Sequence, residues 1–90
     1  MYLHLGESTI VKTGDIVGIF DMDNTTVMKS TRTFLSSAEK QGRAVTVSYE
    51  LPKSFVVCKN KKEKTATVYI SQLSSSTLEN RLKTSGFNRL

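Results

Sequence analysis

The stretch Ile16-Val17-Gly18-Ile19-Phe20 is apolar at every position but one glycine. A continuous apolar run of this length marks a strand covered on both faces. It commits the chain to a sheet with material packed above and below it. Gly18 in the middle predicts a close approach to the backbone. The segments before this run read as short strands: Tyr2-Leu3-His4-Leu5, then the turn Gly6-Glu7-Ser8, then Thr9 to Lys12. Thr13-Gly14 breaks the chain ahead of the apolar run.

A helix follows. Asn24, Thr25 and Thr26 each offer an N-cap side chain. Val27, Phe34 and Ala38 fall at i, i+7 and i+11, with Met28 and Leu35 beside them, which makes one apolar stripe. Gly42, after Lys40 and Gln41, is a C-terminal stop, so the helix is predicted over about 26 to 41. Arg43 to Tyr49 alternates as a fourth strand, with Val45, Val47 and Tyr49 on one side. Leu51-Pro52 interrupts it, Ser54 to Cys58 is a fifth strand, and Asn60-Lys61-Lys62-Glu63-Lys64 is a hairpin tip leading to a sixth, Thr65 to Ile70. Ser76-Thr77-Leu78-Glu79 has the form of a capping box, predicting a last helix over about 77 to 84 that ends before Gly86. The order is βββαβββα, a small strand-rich α+β domain. Residues 1–90 make one domain, with a flexible tail expected from about residue 85.

Ninety residues contain no apolar segment near the roughly 20 residues a membrane helix requires. The start, Met1 to Glu7, has no charged opening followed by an apolar run, so no signal peptide is read there. Cys58, the single cysteine, excludes an internal disulfide and any cysteine-rich metal site, and the cytoplasm is the expected compartment. The net charge of +5 is unevenly placed: residues 1–25 carry −3, residues 26–50 carry +2, and residues 51–90 carry +6. An acidic front and a basic back suit a polyanionic partner or head-to-tail self-association.

The apolar run continues into Asp21-Met22-Asp23-Asn24-Thr25, which resembles the first motif of the haloacid-dehalogenase phosphatases. In that family the first carboxylate attacks phosphorus, and the second acts as acid and base beside a magnesium ion. The surroundings do not supply the rest of that chemistry. Glu39, Glu50, Glu63 and Glu79 are the only later acidic residues, none of them paired, and the chain is too short for a doubly wound parallel sheet. Strands adjacent in sequence are expected to be joined by turns too short for parallel crossovers. Asp21 and Asp23 therefore read as polar residues that cap and charge the N-terminus of the following helix. His4 has no nucleophile near it in sequence, and Cys58 lies in an apolar strand and reads as core. No enzyme activity, cofactor, metal or small-molecule substrate is expected.

Lys59-Asn60-Lys61-Lys62-Glu63-Lys64 places four lysines at a hairpin tip. Such a tip either binds phosphates without sequence preference or is a solvated turn that discourages edge-to-edge aggregation. Together with Arg43 and Lys53, the lysines Lys59, Lys61, Lys62 and Lys64 are the candidate nucleic-acid-binding residues.

Four segments, Tyr2-Leu3-His4-Leu5-Gly6, Asp15 to Asp21, Pro52 to Val57 and especially Tyr69 to Leu78, resemble the bacterial extracellular-matrix regulatory family (RemA/RemB), most nearly its RemB branch. The resemblance covers about residues 1–83 and rests on order, spacing and length together. It implies a cytoplasmic, homo-oligomeric, DNA-binding regulator of transcription of biofilm-matrix genes. The implied fold is related to the LytTR-type DNA-binding domain, and the implied assembly is a ring that holds DNA on its rim. RemA-like members carry an arginine pair after the fourth strand and another arginine before the third. Here Leu51 and Pro52 stand at the first place and Asp15 at the second. None of the three can make an arginine's phosphate contacts. The alternative is a module that self-associates or pairs with a RemA-like regulator without touching DNA.

Overall fold

The computed structural model describes residues 1–22, 29–48 and 50–87. Its elements are β1 (Tyr2–Gly6), β2 (Thr9–Lys12), a 3-10 turn (Thr13–Asp15), β3 (Ile16–Asp21), α1 (Lys29–Lys40), β4 (Ala44–Thr46), β5 (Ser54–Cys58), β6 (Thr67–Ser71) and α2 (Ser75–Phe87). They form a small strand-rich α+β domain with two helices among the described residues.

β1 and β2 make an antiparallel hairpin of their own, while the other four strands form one sheet in the order β3-β5-β6-β4. β3 and β6 both run antiparallel to β5, and β4 runs parallel to β6. That parallel pair joins strands not adjacent in sequence, while the sequence-adjacent pairs β1–β2 and β5–β6 are antiparallel, as their short turns require. The chain reaches it by placing all of β5 between β4 and β6, a span long enough for the crossover.

The two faces of the sheet are covered by different elements. On one, Val56 and Cys58 of β5 pack with Leu3, Leu5 and Val11 of the β1–β2 hairpin and Leu78 of α2. On the other, Phe55 and Val57 pack with Val68 and with Ala38 and Leu35 of α1. All five residues of β5 are buried, so the strand covered on both faces is β5 rather than β3. β3 is an edge strand instead. A register shift between Ile16 and Gly18 leaves Val17 67% exposed, while Ile16 and Ile19 pack on the hairpin side. Gly18 does serve a close approach. A Cβ there would fall 2.7 Å from the Phe20 ring, which is stacked on Phe55 at 5.1 Å.

The ends of α1 and α2 show which local signals acted. At the end of α1 the Gly42 N–H bonds Glu39 O at 3.1 Å and the Arg43 N–H bonds Ala38 O at 2.8 Å, with Gly42 at φ 72°. This is a Schellman close, which needs a left-handed residue and finds the glycine. Asp23 to Met28, including the expected caps and Val27 of the apolar stripe, lie outside the described residues. α2 starts two residues before its predicted first turn because its cap is Ser74, not Ser76. The Ser74 Oγ accepts the Thr77 N–H at 3.2 Å, and Leu78 N–H bonds Ser74 O at 3.1 Å. α2 also runs through Gly86 to Phe87 instead of stopping before it. β4 is shorter than the alternating Arg43–Tyr49 pattern. Val45 is 39% exposed and Val47 is buried, and Val47 N–H still bonds Ile70 O at 2.9 Å.

Candidate nucleic-acid interface

The β5–β6 hairpin positions most of the basic candidates. Asn60 closes its tip: the Asn60 Oδ1 accepts the Lys62 N–H at 2.7 Å, and Asn60 O accepts the Glu63 N–H at 3.1 Å. An asparagine bonding backbone two residues on is a turn-former, so the lysine-rich tip is folded back on itself. Its base is fixed where Lys59 N–H bonds Asp15 O at 2.8 Å. Lys59, Lys61, Lys62 and Lys64 are all exposed, and no ion pair holds any of them among the described residues. Unpaired ammonium groups on a braced turn present their charge to an outside partner.

Arg43 sits at the same end of the sheet, because β4 is parallel to β6 and begins where the tip ends. Its guanidinium is engaged within the fold, however. Nε–H donates to Gln41 Oε1 and Nη1–H to Ala66 O, both at 2.7 Å. It ties the end of α1 to the approach to β6. Lys53 lies elsewhere. It is exposed at the opposite end of β5, six residues from Lys59, or roughly 20 Å along an extended strand. The structure therefore gathers Lys59, Lys61, Lys62 and Lys64 with Arg43 behind them, and separates Lys53 from them.

Asp15 is also at the lysine end, its carbonyl accepting the Lys59 N–H. It lines a groove of about 300 Å³ with Tyr2, Ile10, Cys58, Glu63 and Tyr69. Burial and the neighbouring Asp15 charge push the Cys58 thiol up to about 11, so it is a packed thiol and not a nucleophile. The Tyr69 hydroxyl is pushed up by burial and by the charges of Cys58, Glu63 and Asp15. Sequence patterns give no hint of this groove, because its lining comes from four separate segments. His4 is on the outer face of β1, its Nε2–H donating to Glu7 O at 2.6 Å, and its own carbonyl accepts Arg81 Nη1–H at 3.2 Å. Asp21 ends β3, and Asp23 falls outside the described residues.

Among the described residues no three His, Cys, Asp or Glu side chains are grouped to hold a metal ion, and no helix is long and apolar enough to cross a membrane. No protein-family model matches the chain. Extracellular matrix regulatory protein B of Bacillus subtilis (strain 168) is 42% identical to it over 82 residues, which is 90% of this chain and 89% of that protein. Identity at that level over nearly the full length of both proteins means that the chain belongs to the extracellular matrix regulatory protein B family.

Proposed function

We propose that the protein is an oligomeric, cytoplasmic DNA-binding regulator of extracellular-matrix genes, with a fold of the RemA and LytTR kind and no catalytic activity. The observation that carries the DNA contact is the braced tip with Lys59, Lys61, Lys62 and Lys64 exposed and unpaired. Lysines of this kind neutralise phosphates and release counterions without reading bases, so the contact is to the backbone. Repetition of the tip around an oligomer turns a weak contact into useful avidity.

The test is retention of duplex DNA across a salt series. Affinity is expected to fall steeply with salt, and replacing Lys61, Lys62 and Lys64 together by Glu is expected to abolish retention at low salt. Absence of binding by the unaltered protein at low salt overturns the DNA reading. Asp21→Asn is expected to leave hydrolysis of a generic phosphate ester at background, where the unaltered protein also stands. Turnover that disappears in this variant would restore the phosphatase reading.

A second reading is favoured by Leu51, which is 81% exposed at a place where RemA-like proteins carry an arginine. An apolar knob there suits a protein partner better than a phosphate. Under this reading the protein self-associates or pairs with a RemA-like regulator, and it co-purifies with that partner and not with DNA.

A further inference from the structure

A contact made only to the DNA backbone leaves the groove beside the lysine tip unused. Its lining brings Tyr2, Tyr69, Asp15 and Glu63 together with Asn60 and Lys12. Asn60 and Glu63 also belong to the tip, and Lys59 directly follows Cys58 of the groove. Groove and tip are therefore one continuous surface. Lys12, Lys59, Lys61, Lys62 and Lys64 set five positive charges there against two carboxylates, a net of +3. That balance suits a polyanion and disfavours a cationic ligand.

At about 300 Å³ the groove is at the small end for a ligand pocket, so it admits one small planar group. Tyr2 is 55% exposed and supplies an open aromatic ring on which such a group can stack. Burial, then the nearby charges of Cys58, Glu63 and Asp15, hold the Tyr69 hydroxyl protonated, as a donor. Neither Asp15 nor Glu63 has a cationic partner among the described residues. Carboxylates only accept hydrogen bonds, so this pair selects a ring edge that donates. Cytosine offers its N4 amino group, which Asp and Glu accept, where thymine has a carbonyl. In a duplex the base is paired and stacked, so only an unpaired one can enter.

We propose that the groove takes an unpaired, amino-bearing base of single-stranded DNA, cytosine above thymine, while the lysine tip holds the adjoining phosphates. This rests on the DNA contact in the proposed function and adds base discrimination to it. The tip alone reads no sequence, because phosphates are the same along any strand. Asn60 joins the two tasks. Its Oδ1 accepts the Lys62 N–H at 2.7 Å, which folds the tip, and the same residue lines the groove. One sugar separates a base from its phosphate, a spacing that a continuous surface of groove and tip can serve.

Oligo(dC) and oligo(dT) of equal length carry the same phosphates, so comparing them cancels the backbone contact. Fluorescence anisotropy of end-labelled strands at low salt measures both. The unaltered protein is expected to hold oligo(dC) about tenfold more tightly than oligo(dT). Tyr2→Ala is expected to lose about tenfold for oligo(dC), and Tyr2→Phe to retain it, because stacking needs the ring and not the hydroxyl. Tyr2 is exposed, so neither change disturbs the core. Asp15→Asn with Glu63→Gln is expected to erase the preference, since an amide can also donate to the thymine carbonyl. Equal binding of the two strands, a preference that survives this double change, or Tyr2→Ala binding oligo(dC) as the unaltered protein does, overturns the proposal. So does retention of duplex with neither single strand held. Each of these leaves the backbone contact standing. Retention of neither single strands nor duplex is the failure of the DNA reading itself, and the base contact falls with it.

Discussion

Ser71 is fully buried, and its hydroxyl serves two backbone groups. It donates to Leu5 O at 2.7 Å and accepts the Leu73 N–H at 3.0 Å, joining the β1–β2 hairpin to the turn ahead of α2. Ser71→Ala leaves both groups unpaired in the interior, so we expect a loss of about 1–3 kcal/mol in denaturant unfolding. Its cross-strand partner Ser54 is equally buried and donates to Leu73 O at 2.7 Å, so the two serines together fix that turn. Cys58 makes a pH-dependent contribution. Its folded value of about 11 lies above the ordinary 9.0. An acid held protonated by the fold binds more protons when folded than unfolded between those values, so stability is complete below pH 9 and falls as pH rises toward 11. Tyr69 adds a loss of the same sign at the alkaline end. Unfolding midpoints across this range are expected to fall more steeply for the unaltered protein than for Cys58→Val.

At the scale of elements, the helix ends and the hairpin tip are closed by short-range chemistry. Gly42 at φ 72° makes the Schellman close of α1, and nothing stands within 4 Å of a Cβ built there. Gly42→Ala therefore loses stability through backbone strain alone, by about 1 kcal/mol, read in the unfolding midpoint. α2 is attached through Leu78, fully buried against the hairpin core, with Leu82 packed beside it. Removing that side chain in Leu78→Ala is expected to cost about 2–5 kcal/mol. Hydrogen exchange in α2 and β1 should then rise first, because these two elements pack against each other.

At the scale of the molecule, β5 is the axis along which the exposed charges are arranged. The lysine tip and the carboxylate groove lie at one end, and Leu51 with Lys53 at the other. The proposed DNA contact therefore separates by variant. Replacing Lys61 alone by Gln should lower the slope of log affinity against log salt by about 1, for the one phosphate no longer neutralised. Lys53→Glu, at the far end of β5 from the lysine tip, should leave that slope unchanged. Measuring both slopes over the same salt series distinguishes the tip from the far end of the strand.

The sequence by itself determined the order of the described strands and helices, the bounds of β2 and β5, the folded lysine tip, the Gly42 helix stop and the packed character of Cys58. These depend on alternation, turn residues and spacing, which act over a few residues. Tertiary structure alone decided that β5 and not β3 is the doubly covered strand. Apolar composition reports that a strand is buried but not where it stands in the sheet. Ser74 took the cap from Ser76 because the turn fixed by Ser71 and Ser54 sets where α2 can begin. The division of the basic residues, with Arg43 bonded internally and Lys53 set at the far end of the sheet, and the meeting of Asp15 with Glu63 likewise had no signature in sequence. They arise from pairing between strands distant in the chain, and no local pattern encodes which distant strands will pair.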